Sequence, residues 1–170
     1  MSIIKKKSKK QENKIAKDIK GKVTMASGAL YMQKADVRND EYLIEAKTTE
    51  KKFYSLKYDI WNKIAKEALR DDNRIPLMHI QLLDGKKEFV IMSINTFLAK
   101  NLDMYNYVGN PEPILTEKKS VRITHDMLDF THNGVDFTEI YYPRCDIKFV
   151  EHNEHLVVLA WEDFLLMEGM

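Results

Sequence analysis

Cysteine is nearly absent: one thiol, Cys145, in 170 residues. An internal disulfide is excluded, and a reducing, cytoplasmic setting is expected. No apolar run approaches the length of a membrane span, and Met1–Lys10 lacks the apolar core of a signal peptide. Neither a Walker A nor a Rossmann glycine pattern occurs, so no nucleotide cofactor is expected. The five histidines form no set with zinc-like spacing, even though His152 and His155 lie three apart.

What remains is an ordinary globular composition, 44% hydrophobic and 31% charged, long enough to bury a core. The net charge of +1 conceals an asymmetry. Residues 1–70 carry 18 Lys+Arg against 9 Asp+Glu, and the remaining hundred carry 9 against 17, so +9 and −8 give the total. A basic first half suits a polyanionic partner. Lys5, Lys6, Lys7, Lys9 and Lys10 open it as an expected disordered arm, and Lys51 and Lys52 continue it.

Patterning predicts an α/β fold with a mixed sheet. A short helix is expected over 11–20, with Ile15, Ala16 and Ile19 as its apolar stripe and Gly21 ending it. A strand-like start at Val23 breaks at Ser27-Gly28. Two strands, 34–38 and 41–48, flank a tight turn at Asn39-Asp40. Ser55 is positioned to cap a helix over 56–70. A strand over 77–83, a turn at Asp84-Gly85, a strand over 89–92 and a short helix over 95–100 follow. Residues 101–119 read as a long connection, and further strands at 121–124, 135–142, 147–150 and 156–161 as a β-rich extension ending in a short helix. No strict internal repeat is evident; Phe89–Leu98 and Leu156–Leu165 share a faint echo, each an apolar strand running into Phe-Leu.

The 34–48 hairpin carries the chemistry. A two-residue turn opposes Arg38 to Glu41, Val37 to Tyr42 and Asp36 to Leu43. Strand alternation then puts Asp36, Leu43, Glu45 and Lys47 on one face, and Ala35, Val37, Tyr42, Ile44 and Ala46 on the other. Asp36 and Glu45 become diagonal neighbours, about 7–8 Å apart at Cα. Two carboxylates beside an ammonium suit phosphodiester hydrolysis: hard oxygens hold Mg²⁺ or Mn²⁺, and the lysine orients or deprotonates water or offsets developing charge.

These residues resemble the PD-(D/E)-x-K nuclease superfamily, and within it the archaeal and phage Holliday-junction resolvases. The matching stretches are Lys34-Ala-Asp-Val-Arg38 and Tyr42-Leu-Ile-Glu-Ala-Lys-Thr-Thr49, with Glu12 on a preceding helix and Ser27-Gly28 in a loop. The likeness spans about residues 9–98. It implies a restriction-endonuclease-like core over 11–100, with 101–170 as an added extension. Asp36, Glu45, the Ala46 carbonyl and Glu12 would hold metal, Lys47 would be the catalytic lysine, and Ser27 would sit near the scissile phosphate. Thr48, Lys51 and Lys52 would contact DNA with the basic arm. The motif's proline is Ala35 here. The resemblance implies a structure-selective endonuclease resolving four-way junctions as a homodimer, in a bacterial or phage-infected cell. A repair or restriction-type nuclease acting on duplex ends, flaps or nicks, and a non-catalytic DNA-binding module, are the alternatives.

Overall fold

The computed structural model describes residues 3–24, 35–84, 86–108, 112–129 and 142–170. Ser27, the Ser27-Gly28 break, Gly85 and most of the expected 135–142 strand lie outside them. Among the described residues, eleven strands, β1 to β11, and four α-helices, α1 to α4, follow in chain order. The first half runs α1 (Ile3–Asp18), β1 (Lys22–Val23), β2 (Val37–Arg38), β3 (Tyr42–Thr49), β4 (Phe53–Lys57), α2 (Tyr58–Arg70), β5 (Ile75–Leu82), β6 (Lys87–Ser93) and α3 (Ile94–Ala99). The second runs β7 (Tyr107–Val108), β8 (Ile114–Thr116), β9 (Ser120–Thr124), β10 (Tyr142–Phe149), β11 (Glu154–Ala160) and α4 (Trp161–Met167). Among the described residues, no helix is long and apolar enough to cross a membrane.

One mixed sheet orders its strands β1-β2-β3-β5-β6-β11-β10-β7, with β8 also on β10, while β4 and β9 form a separate ribbon. Strand alternation divides the core in two. Val37, Tyr42, Ile44 and Ala46 pack with Ile15 and Ile19 of α1, Phe97 of α3 and Trp161 and Phe164 of α4. On the opposite face Met78, Ile80 and Ile91 pack with Trp61 and Ile64 of α2 and with Leu56 and Ile123 of the ribbon. Helices on one side, and a helix plus ribbon on the other, sandwich the sheet.

Several expectations change. Helix α1 begins at Ile3, so the basic arm is helical rather than disordered. Ser55 caps nothing: it lies in β4 opposite Arg122, and α2 starts three residues later, behind Lys57 with no side-chain cap. The segment 101–119 holds β7 and β8. The division at residue 100 does not separate two sheets, because β11 pairs antiparallel with β6 at the centre of one.

The faint echo is a structural repeat. Met78 pairs with Ile91 as Cys145 pairs with Val158, so both members lie 67 positions on (145 − 78, 158 − 91). Lys47 pairs with Ile80 in parallel as Ile114 pairs with Ile147, at the same offset. Strands β4, β5 and β6 and helix α3 therefore recur as β9, β10, β11 and α4, while β7 and β8 together stand where β3 would. At two places equivalent residues face each other, Ile91 with Val158 and Ser55 with Arg122. Such self-pairing marks a local twofold axis through the central sheet and the ribbon.

Candidate active site

Strand β3 runs parallel to β5 and antiparallel to β2, so its side chains are held from both sides. The β2–β3 register pairs Arg38 with Leu43 and Val37 with Ile44. The turn is thus longer than the two residues expected, because Asn39 Oδ1 accepts from the N–H of Glu41 (3.0 Å) and of Tyr42, building a side-chain-braced loop. A shift of two residues preserves parity, so the predicted face survives while the partners change. Ala35 departs from it: it packs with Leu43 and Ala68 rather than beside Val37.

Asp36, Glu45 and Lys47 come together on the α2 side of the sheet. The Ala46 N–H donates to Asp36 Oδ2 at 2.9 Å, and Lys47 Nζ donates to Glu45 Oε1 at 2.5 Å. Burial and the neighbouring Glu45 charge push the Asp36 carboxyl up to about 6, against the pull of the Ala46 N–H and Lys47. Burial opposes charge on Lys47, but the Glu45 hydrogen bond and the Glu45 and Asp36 charges outweigh it and hold the ammonium above its usual range. Lys47 is therefore a fixed cation here, better suited to offsetting negative charge than to accepting a proton. Tyr54 of β4 is an addition that the sequence did not signal; burial, with the Glu45 charge, raises its hydroxyl despite nearby Lys47.

The donor set suits a hard divalent cation. Two crowded carboxylates, one of them costly to ionise, are the arrangement such an ion relieves, and Asp36, Glu45 and the Ala46 carbonyl are the residues that would hold it. Among the described residues no three His, Cys, Asp or Glu side chains gather closely enough to hold an ion. Glu12 raises the Asp36 carboxyl less than Glu45 does, and its own carboxylate accepts from Ser8 Oγ at 3.1 Å.

The residue that helix α1 buries against the site strand is Gln11, 2% exposed. Its Nε2 donates to the Lys47 carbonyl at 3.2 Å and to His79 Nδ1 at 2.8 Å, and its Oε1 accepts from Thr48 Oγ1. That bond puts the His79 proton on Nε2, 3.5 Å from Glu88. Gln11 lies four and eight residues before Ile15 and Ile19, a spacing that places it on their stripe more squarely than Glu12. Thr48 thus points to the α1 face, away from Glu45 and Lys47.

Around the site, Lys51 and Lys52 are exposed at the β3–β4 turn, and Lys6, Lys9 and Lys10 are exposed on α1. Lys7 is paired with Glu50 at 2.8 Å. A groove of about 340 Å³ lined by Lys7, Lys10, Gln11 and Lys14 runs along α1, on the other side of the sheet from the carboxylates. Compared with known proteins, the chain matches no family model and no curated sequence.

Proposed function

We propose that the chain is a metal-dependent DNA endonuclease that hydrolyses phosphodiesters in branched DNA. The observation carrying this is the grouping of Asp36, Glu45 and Lys47 on one strand face, with Asp36 pushed up to about 6 and Lys47 held charged. A stable surface has no use for a carboxylate destabilised by its neighbour; a site that receives a cation does. When bound, a divalent cation supplies an acidified water and offsets charge on the phosphate. Asp36 and Glu45 position that cation, the Ala46 N–H orients the Asp36 carboxylate, and Lys47 stabilises the negative charge that grows on the phosphate oxygens. Water oxygen bonds to phosphorus while the opposite bridging P–O bond breaks. Its electron pair leaves with the sugar oxygen, which takes up a proton, and water's proton passes to solvent.

The exposed lysines of α1 and of the β3–β4 turn supply the sequence-independent grip on phosphates. The choice of branched substrate rests on the resemblance to junction resolvases. The test is cleavage of a four-way junction beside a matched linear duplex, with Mg²⁺ or Mn²⁺ and then with EDTA. Faster cutting of the junction, lost with EDTA, is expected. Equal cutting of both would redirect the reading to a duplex or repair nuclease, and binding without cutting in either metal would leave a DNA-binding module.

A further inference from the structure

The internal repeat bears on how many cuts one chain makes. The core on the α2 side is built from equivalent pairs: Leu56 with Ile123, Trp61 with Leu128, Ile80 with Ile147, Leu82 with Phe149 and Phe89 with Leu156. Even the polar pair between strands is mirrored with its partners exchanged. His79 faces Glu88, and at the corresponding positions Asp146 meets His155 at 2.9 Å. The turn Thr49-Glu-Lys-Lys52 recurs as Thr116-Glu-Lys-Lys119, and in each the threonine Oγ1 accepts from the N–H two residues on at 3.1 Å. These correspondences are too many, at one offset, for two independent strand pairs.

The catalytic positions do not follow. The parallel pairings place Ile114 where Lys47 stands, which puts Pro113 at the position of Ala46 and Glu112 at that of Glu45. Isoleucine has no charge to offer a phosphate. Beyond that edge, among the described residues, no strand occupies the place that β2 takes beside β3, so nothing there corresponds to the β2 hairpin that presents Asp36. Helix α1 likewise has no counterpart, since the residues 67 positions on from it, 70–85, hold the end of α2 and strand β5.

We infer that residues 107–167 are a catalytically silent copy of the site-bearing unit 42–100, standing where a homodimer would place its second subunit, so that one chain holds one cutting centre and breaks one strand per encounter. A twofold-symmetric enzyme built from two chains cuts twice because both halves carry the site. Here the axis lies inside the chain, and only one half carries it. The second half keeps the symmetric scaffold and its Lys118-Lys119 turn, which braces the complex against a second DNA segment. This replaces the homodimer expected from the sequence. It rests on the nuclease reading.

Sedimentation of the free chain and of the Lys47→Ala variant bound to a junction, with product analysis on supercoiled cruciform plasmid, tests it. A species near 20.0 kDa, a one-to-one complex, and nicked circles that build up before any linear product are expected. Glu112→Gln should cut within twofold of wild type, whereas Glu45→Gln should cut at least a hundredfold more slowly. A dimer, a two-to-one complex, direct linearisation, or a tenfold loss with Glu112→Gln would each overturn the silent copy while leaving a nuclease. No cleavage by wild type in either metal would overturn the nuclease reading and this inference with it.

Discussion

Replacing Asp36 by asparagine separates the stability of the fold from its chemistry. The carboxyl titrates near 6 rather than at its ordinary 3.8. The native state therefore holds this proton more tightly than the unfolded chain does. The contribution of this group to stability is greatest below about pH 4, falls as pH rises from about 4 to about 6, and is flat above that. Integrating that interval puts the cost of the charged carboxylate near 0.5 kcal/mol at pH 4 and about 3 kcal/mol at pH 8. Solvent reaching this partly exposed group trims both figures. Asparagine keeps an oxygen for the Ala46 N–H but never ionises. Asp36→Asn should thus be more stable than wild type by up to about 3 kcal/mol at pH 8 and by well under 1 kcal/mol at pH 4, while cutting no DNA. Urea unfolding at the two pH values, without divalent ions, measures the difference. Adding Mn²⁺ at pH 8 should raise the wild-type midpoint and leave the variant's unchanged. A gap of the same size at pH 4 and pH 8, or a variant less stable than wild type at pH 8, would refute the electrostatic account of the site.

Three further outcomes follow from the geometry. Lys47→Ala should slow cleavage by about a hundredfold or more with junction affinity nearly unchanged, because the exposed lysines carry the grip; single-turnover rates and a binding titration separate the two effects. Converting Lys6, Lys9 and Lys10 to glutamine should weaken binding and flatten the log–log salt dependence by about 0.9 for each phosphate no longer neutralised, as read by fluorescence anisotropy across a salt series. In Gly21→Ala the new Cβ would stand 2.5 Å from the Arg38 carbonyl oxygen. That backbone atom has little room to give, so a loss of about 1–3 kcal/mol is expected in thermal unfolding.

The active-site face was legible because strand parity depends only on whether the turn changes length by an even number, and it did. The partners were not legible, because Asn39 braces a longer loop through its own side chain. Ser55 misled for a different reason. Its helix-cap signal is local, whereas its true partner is Arg122 on a strand far along the chain, and no window around residue 55 contains that information. Glu12 overshadows Gln11 in the sequence because a carboxylate near a metal motif draws attention, though the four-residue spacing to Ile15 favours the amide. The repeat is hidden by divergence. Few residues are identical across it, among them Pro76 with Pro143 and Phe97 with Phe164; what it preserves is hydrophobic shape and register, which only strand pairing reveals. With β10 and β11 in the central sheet, the β-rich extension becomes half of the fold.

The seam between β6 and β11 also guards against aggregation. Phe89, Val90, Ile91 and Met92 are at most 1% exposed, and Leu156 to Leu159 are fully covered. A chain ending near residue 100 would bare β6, whose stretch from Phe89 to Met92 is uncharged and rich in strand-forming residues, ready to recruit any similar edge it meets. Strand β11 thus sheathes the edge of the half that carries Asp36, Glu45 and Lys47. Without β11, that edge would stand open to pairing with another strand.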